Sequence, residues 1–189
     1  MASIETLYRK PVRPETVIQF GEGGFLRGFF DWMLKKANDA GACSGSVVVV
    51  QPIAKGLCGV LTAQNCLYTH LARGAEGVDR TVVDVISRCV NPYEDYEAFL
   101  SLAEIPTMQV IVSNTTEAGI AYEAGDRLTD TPPVSYPAKL TALLYRRYQR
   151  GLPGFLILPC ELIDRNGENL RRIVLRYAEE WGLGADFIR

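Results

Sequence analysis

A short apolar run near the start of the chain ends in a cluster of glycines. It reads Thr16-Val-Ile-Gln-Phe-Gly-Glu-Gly-Gly-Phe-Leu-Arg-Gly28, strand-like at first and amphipathic after the glycines. Gly21 and Gly23 permit a tight turn whose backbone N–H groups approach a pyrophosphate, and the helix that follows turns its positive dipole end toward that charge. The segment therefore predicts a strand, a glycine turn and a helix that hold the phosphates of a dinucleotide.

The glycine pattern by itself also has a second interpretation. In G-x-G-x-x-G the third glycine would fall at Leu26, whereas the next glycine of this chain is Gly28. A glycine-rich turn between a strand and a helix that binds no ligand fits the same residues. The remainder of the chain has to decide between the two.

Composition excludes several classes of protein. The chain has 189 residues with a net charge of −2 and 22% charged residues, which fits one globular domain and favours neither a nucleic-acid partner nor disorder. The longest apolar runs, such as 46–50 and 155–158, are too short to cross a bilayer, and the first residues lack a secretory signal. We therefore expect no membrane partner and a cytoplasmic location.

Cysteine and histidine do not indicate a metal site or a catalytic triad. The five cysteines form no C-x-x-C pair, and their odd number without a signal peptide is typical of reduced thiols. The single histidine, His70, lies in an alternating, strand-like stretch, which favours a structural or surface role. We predict no bound metal.

The order of the remaining elements is typical of a doubly wound sheet. A helix over 25–40 follows the first strand, and the β-branched run 46–51 is a strand buried on both faces. Two further strands over 67–72 and 80–90 predict an inserted β-hairpin, and Pro92 then opens a helix. Strands over 109–113 and 154–159 alternate with helices over 139–148, with Pro137 in its first turn, and 170–181. The predicted fold class is α/β, a Rossmann-type, mostly parallel sheet with an inserted hairpin.

Six motifs together resemble one known family. They are Gly21-Glu-Gly-Gly-Phe-Leu-Arg27, Gln64-Asn-Cys-Leu-Tyr-Thr69, Asn91-Pro-Tyr-Glu-Asp-Tyr96, Ser113-Asn-Thr-Thr-Glu-Ala-Gly119, Ser135-Tyr-Pro-Ala-Lys-Leu-Thr141 and Pro159-Cys-Glu-Leu-Ile-Asp-Arg-Asn-Gly167. In combination they resemble the mannitol dehydrogenase family of polyol and sugar-acid dehydrogenases, over nearly the whole chain. The fourth and sixth motifs resemble the branch that acts on tagaturonate.

The resemblance implies an NAD-dependent oxidoreductase that transfers hydride reversibly between tagaturonate and altronate, both hexuronates. It implies a cofactor site made of Gly21, Gly23, Gly24, Phe25, Leu26 and Arg27 at the phosphates, with Asn114 and Glu117 near the ribose and nicotinamide. Asn166 then either contacts the substrate carbonyl or caps the last helix. The Asn114 to Gly119 cluster also fits a plain turn.

Some residues depart from the family pattern. Gln51 stands at the end of the second strand, where NAD enzymes place an acidic residue on the ribose 2′-hydroxyl. Gln51 can still bond a ribose hydroxyl, whereas nearby Lys55 suits a 2′-phosphate, so NAD is expected over NADP on family grounds alone. Leu162 replaces an asparagine of mannitol-type relatives, and Asn65-Cys66 replaces an Asp-Gly pair.

The resemblance also implies a second domain. Family members continue into a helical domain that carries a lysine acid/base, so we expect residues 1–189 to be an N-terminal dinucleotide-binding domain that is inactive alone. We expect an exposed apolar patch near the final helix and the turn 159–163. The alternative is a non-catalytic nucleotide-binding or regulatory module. A methyltransferase fits less well because the acidic ribose contact is missing.

Overall fold

The computed structural model describes residues 4–189, without the side chains of Glu5 and Glu117. Within them, the strands are β1 (Glu15–Phe20), β2 (Ser46–Val50), β3 (Tyr68–Gly74), β4 (Gly77–Val83), β5 (Ile86–Val90), β6 (Val110–Ser113) and β7 (Leu156–Pro159). The α-helices are α1 (Ile4–Leu7), α2 (Gly24–Gly28), α3 (Phe30–Asp39), α4 (Cys58–Ala63), α5 (Tyr96–Leu100), α6 (Tyr136–Gln149), α7 (Asn166–Glu180) and α8 (Ala185–Ile188). Short 3₁₀ helices cover Ser101–Glu104 and Glu117–Gly119.

The main sheet has five parallel strands in the order β5-β2-β1-β6-β7. The chain starts at the central strand β1, builds outward through β2 and β5, and then crosses to the other side of β1 to add β6 and β7. This reversal is the defining feature of a doubly wound sheet. Strands β3 and β4 pair antiparallel as a separate hairpin. The predicted fold class and the inserted hairpin are both confirmed.

Helices cover both faces of the sheet, which explains why its inner strands are apolar throughout. All five residues of β2 are buried, as are the last four of β1. On one face Phe20 packs its ring 4.8 Å from Tyr136 and 5.9 Å from Phe99, between α5 and α6. On the other face, buried Leu26 and half-buried Phe30 and Leu34 pack against alternate residues of the same strands. The alternation of apolar side chains thus builds two cores around one sheet.

The predicted strand 80–90 is in fact two strands that belong to different sheets. Strand β4 pairs with β3, whereas β5 joins the main sheet beside β2. Asp84 lies between them and is buried, where it accepts hydrogen bonds from Arg13 Nη1 at 3.0 Å and Tyr8 Oη at 2.6 Å. The apolar pattern of the run did not reveal the division, because the partners of Asp84 are about seventy residues away.

Two predicted helix boundaries were also wrong. The helix predicted over 25–40 divides into α2 and α3 at Phe29, directly after the weak helix former Gly28. The helix predicted from Pro92 begins at Tyr96, because the Asp95 carboxylate accepts the Ala98 N–H at 2.8 Å and caps it there. By contrast, the prediction for α6 holds, with Pro137 in its first turn.

Candidate functional site

The glycine turn lies where the ends of three strands meet. The Gly21 N–H donates to Val50 O of β2 at 3.1 Å, and the Asn114 N–H, just after β6, donates to Phe20 O at 3.1 Å. Gly21 has φ +112°, and a Cβ there would lie 2.7 Å from Asn114 O. Only glycine permits both this conformation and this approach. The turn therefore occupies the switch point of the sheet, where doubly wound folds bind ligands.

Beyond Gly21 the backbone is open to solvent. Gly23 and Gly24 are exposed, and a Cβ added to either would meet nothing within 4 Å. Gly23 is the N-cap of α2 and no side chain caps that helix. The first amides of α2 therefore have neither an intrahelical acceptor nor a capping side chain. This leaves N–H groups and free space together, as a bound pyrophosphate requires.

The side chains that follow the glycines hold the turn in place. Leu26 is buried in the core, whereas Phe25 is half exposed and stacks on Phe29 with ring centroids 5.3 Å apart. Arg27 donates from Nε to Glu22 O at 2.9 Å, and its guanidinium lies 5.6 Å from the centre of the Tyr68 ring. Leu26 and Arg27 thus act on the structure of the loop itself.

Polar groups lie buried beneath the turn. Gln19 donates from Nε2 to Gly21 O at 3.0 Å, and Tyr68 donates its hydroxyl to Arg27 O at 2.7 Å. The Tyr68 hydroxyl is also 3.2 Å from Asp31 Oδ2. Burial raises the pKa of Asp31 to about 7, although Tyr68, Gln19 and Arg27 oppose that rise.

Gln51 at the end of β2 is occupied by its own loop. Its Nε2 donates to Ile53 O at 2.9 Å and to Ala54 O at 3.3 Å, and its Oε1 accepts the Cys58 N–H at 3.3 Å. The same loop is fastened to the glycine turn, because the Leu57 N–H donates to Glu22 Oε1 at 2.9 Å. In this arrangement Gln51 positions the loop, and its contact with a ribose stays a prediction.

A buried carboxylate joins the ends of β6 and β7. Glu161 accepts hydrogen bonds from the Ser113 hydroxyl at 3.1 Å, from the Thr115 N–H at 2.9 Å and from Asn166 Nδ2 at 3.1 Å. Asn114 Nδ2 donates to Cys160 O at 2.8 Å. Glu161 thereby fixes the loop that carries Asn114 and Thr115 at the carboxyl end of β6.

A cleft of about 260 Å³ opens at this edge of the sheet. Its walls come from the loops that follow β2 and β6 and from the start of α6, and include Ile53, Thr115, Tyr122 and Tyr136. The walls are largely apolar, which suits a flat aromatic group.

The structure brings together most of the predicted site residues. The glycine turn and Asn114 are in contact across the strand ends. Asn166 is the first residue of α7, whose N-cap is Arg165, so the prediction that Asn166 caps this helix is wrong. Asn166 is buried and donates to Glu161, which leaves its Oδ1 without a partner in the described structure, while Leu162 is 88% exposed. The side chain of Glu117 lies outside the described residues. His70 is half-buried, with its ring 5.4 Å from that of Trp32, in a packing position.

Sequence reasoning missed the polar side chains that support the site. Gln19 interrupts an apolar strand, and Asp31 is the one acidic residue in the first turn of α3. Both are polar residues within apolar stretches of the sequence, a pattern that indicates a buried side chain with hydrogen-bond partners. The role of Glu161 had no such signal, because two of its partners, Ser113 and Thr115, lie at the end of β6 and just beyond it, nearly fifty residues away along the chain.

Residues 4–189 contain neither a candidate membrane-spanning helix nor a candidate metal-binding cluster. None of the described helices combines the length and hydropathy needed to cross a membrane. The described side chains also include no group of three or more His, Cys, Asp or Glu residues able to hold a metal ion.

Sequence comparisons identify related proteins. The family described as Mannitol dehydrogenase Rossmann domain matches residues 15–185. An altronate oxidoreductase of Klebsiella pneumoniae (strain 342) is 49% identical over 185 residues, covering 93% of this chain and 38% of that protein. An altronate oxidoreductase of Phocaeicola vulgatus is 48% identical over 189 residues, covering 94% and 39%. The chain therefore spans about two fifths of the length of these relatives.

Two solved structures share the fold. A Pseudomonas fluorescens mannitol 2-dehydrogenase, in a ternary complex with NAD and D-mannitol, matches with a TM-score of 0.81 and 19% identity, over 93% of this chain and 39% of that one. A D-sorbitol dehydrogenase in substrate-free form matches with a TM-score of 0.80 and 19% identity, over 100% and 44%. At this identity the likeness concerns the fold.

Proposed function

The chain belongs to the mannitol dehydrogenase family, and from that premise we propose that it is the NAD-binding domain of an enzyme that interconverts tagaturonate and altronate. The relatives that are nearly half identical over the whole domain are altronate oxidoreductases, which supports this substrate pair. The chain spans 38% and 39% of those relatives, so the activity of the whole enzyme is part of the proposal.

One observation carries the cofactor assignment: the open glycine turn at the switch point. Gly21 is pressed against Asn114 O, whereas Gly23 and Gly24 face free space at an uncapped helix start. The amides of Gly23, Gly24 and Phe25 would hold the pyrophosphate, with Asn114 and Glu117 near the ribose and nicotinamide. The cofactor's contribution, when bound, is to donate or accept the hydride.

The proposed reaction also needs a proton donor, which we assign to the helical domain of the family. Reduction of a ketone requires a proton donor at the carbonyl oxygen. Asn166 already donates its Nδ2 hydrogens to Glu161 O and Oε2, at 3.0 and 3.1 Å, so its contact with the substrate carbonyl stays a prediction. We therefore expect residues 1–189 to bind NADH but to catalyse no tagaturonate reduction. Measurable turnover by this chain alone would contradict that expectation.

An exposed apolar surface supports a partner domain. Leu156 and Leu158 of β7 pair in register with Val110 and Val112, so they lie on the sheet face that α3 covers farther in. Yet they are 61% and 38% exposed, and Leu162 beyond them is 88% exposed. We propose that the helical catalytic domain of the family packs here. We expected the patch near the final helix and the turn 159–163; its exposed leucines are Leu162 of that turn and Leu156 and Leu158 of β7.

NADH titration with a glycine variant tests the proposed function. Gly24→Ala places a methyl group in the space assigned to the pyrophosphate, while alanine is a better helix former than glycine. We expect NADH affinity to fall about tenfold or more, which is about 1.4 kcal/mol, with no loss of folding stability. Fluorescence of Trp32 and Trp181 reports binding, and urea unfolding reports stability.

A matched variant controls for glycine replacement itself. Gly59 lies within α4 and also has nothing within 4 Å of an added Cβ, so Gly59→Ala should leave NADH affinity unchanged. Comparing NADH, NADPH and S-adenosylmethionine then tests the cofactor class. The proposal fails if the unmodified chain binds S-adenosylmethionine in preference to NADH, or if Gly24→Ala binds NADH normally.

A further inference from the structure

A buried carboxyl group beneath the glycine turn has no role in the function proposed above. Asp31 is fully buried in the first turn of α3. The side chains that act on it come from three other elements: Gln19 of β1, Arg27 of α2 and Tyr68 of β3. Arg27 and Tyr68 are the ionisable groups among them. The cluster therefore lies between the sheet, the turn and the hairpin.

Two buried acceptor atoms of this cluster lack a hydrogen-bond donor among the described residues. Gln19 donates one of its two Nε2 hydrogens to Gly21 O, and Tyr68 directs its one hydroxyl hydrogen at Arg27 O and, more distantly, at Asp31 Oδ2. Asp31 Oδ1 and Gln19 Oε1 are both buried, and neither has a partner in the described structure. Buried acceptors without a donor are costly, so such a pair indicates an unrecorded hydrogen.

We propose that Asp31 is a positioning residue that works in its protonated form, and that its proton supplies the missing donor and thereby fixes Gln19 and the glycine turn. The Gln19 side chain acts on Asp31 as a hydrogen-bond partner, and a carboxylic acid hydroxyl is both donor and acceptor, so a proton on Asp31 would serve both Asp31 Oδ1 and Gln19 Oε1. Burial is the largest influence on Asp31 and favours the neutral form, with a pKa of about 7. Gln19 then transmits the effect, because its other end holds Gly21 O.

Ionisation of Asp31 would act on the turn in two ways. It would remove the donor that orders Gln19, and it would place a negative charge beneath amides assigned to a pyrophosphate. Both effects weaken dinucleotide binding as pH rises through the pKa of Asp31. By reciprocity, binding of the dinucleotide draws a proton onto Asp31. This part of the inference rests on the proposed function, whereas the protonation of Asp31 does not.

Unfolding by urea as a function of pH tests the protonation alone. Between about pH 4 and about pH 7 the folded chain holds a proton on Asp31 that the unfolded chain has released, so stability falls as pH rises. We expect the unfolding equilibrium constant to increase by about tenfold per pH unit in this window, relative to Asp31→Asn. Asparagine keeps a neutral donor and acceptor, so this variant should fold and lack the extra slope.

Two further variants and a spectrum complete the test. Asp79→Asn, at an exposed carboxylate, should retain the slope of the unmodified chain. Asp31→Ala removes the donor altogether and should be less stable than Asp31→Asn at every pH. The infrared band of a protonated carboxyl group at neutral pH should be present in the unmodified chain and absent from Asp31→Asn, whether or not Asp31→Ala folds.

NADH titration links the proton to the turn. We expect the affinity of the unmodified chain to fall about threefold or more between about pH 6 and about pH 8, and that of Asp31→Asn to stay constant. The inference would be overturned if stability depended on pH equally in the unmodified chain and in Asp31→Asn, or if the unmodified chain showed no infrared band of a protonated carboxyl group at Asp31. If neither chain binds NADH, but the pH dependence of stability and the infrared band still distinguish them, then the proposed function fails while the protonation of Asp31 is supported.

Discussion

Single residues decide how closely the ends of β1 and β6 approach each other. At Gly21 a positive φ and a contact with Asn114 O coincide, so the position has two independent reasons to be glycine. Gly77, in the hairpin turn, has φ +124° but open space around it, so it has only one. Comparing substitutions at Gly21 and Gly77 therefore distinguishes the cost of backbone strain from the cost of a steric clash.

Gly21→Ala should destabilise the chain more than Gly77→Ala does. Backbone strain alone costs about 1–2 kcal/mol, which is the expected loss for Gly77→Ala. Gly21→Ala adds a clash with backbone that cannot move away, so we expect about 3 kcal/mol or more. Urea unfolding of both variants gives the comparison. If both variants lost the same stability, the close contact between Gly21 and Asn114 O would not require a glycine at position 21.

The elements of the fold are joined by connections that particular side chains hold. Arg147 of α6 is buried and donates to four backbone carbonyls: Pro153 O, Ala103 O, Ile105 O and Met108 O, at 2.7 to 3.1 Å. These carbonyls belong to the connections that lead into β6 and β7. The guanidinium also lies 4.6 Å from the centre of the Phe155 ring. One side chain thus sets the starting points of two strands.

Arg147→Lys is expected to be costly although it keeps the charge. An ammonium group cannot match the fork of a guanidinium, so two or more buried carbonyls lose their donor, at about 2–4 kcal/mol in total. Its neighbour Arg146 pairs with Glu97 and Glu104 at the surface, and Arg146→Lys should cost less than about 1 kcal/mol. Thermal and urea unfolding check both. A similar loss in the two variants would contradict the role given to Arg147.

Most of the elements could be predicted because their signals are local. Continuous β-branched runs predicted the buried strands, and Pro137 in the first turn predicted the start of α6. The division between β4 and β5 could not be predicted, because it depends on Asp84 meeting Arg13 and Tyr8 from the start of the chain. Within the site, glycines predicted the turn. The role of Gln51 depends on the conformation of its own loop, and that of Glu161 depends on the ends of two strands that only folding brings together.

At the scale of the whole molecule, one sheet face is incompletely covered. Phe25 of α2, Phe29 between the helices and Met33 of α3 lie exposed, as do Leu156 and Leu158 of β7. Apolar surface of this kind is typical of an interface. In the absence of a partner domain, the same surface is available to a second copy of the chain.

Leu156→Ser with Leu158→Ser should reduce self-association. Leu156 is mostly solvated and Leu158 is partly buried, so their replacement should lower folding stability by no more than about 2 kcal/mol while removing apolar contact area. Sedimentation over a range of concentrations measures the association. Leu71→Ser, at an exposed leucine of the hairpin, is the control and should leave it unchanged. A chain that is monomeric at all concentrations before any substitution would argue against a docking surface on β7.

The strand order also determines how the chain reaches its native state. Every neighbouring pair in the five-stranded sheet is parallel, and β1 meets β6 only when residues as distant as Val17 and Val110 come together. Among the strand pairs of residues 4–189, β3 and β4 alone can pair progressively outward from a connecting turn, because Gly74 and Gly77 are already close along the chain. Folding should therefore be slow for a chain of this size, with hairpin amides among the first to be protected from hydrogen exchange and those of β1 acquiring protection together with β6.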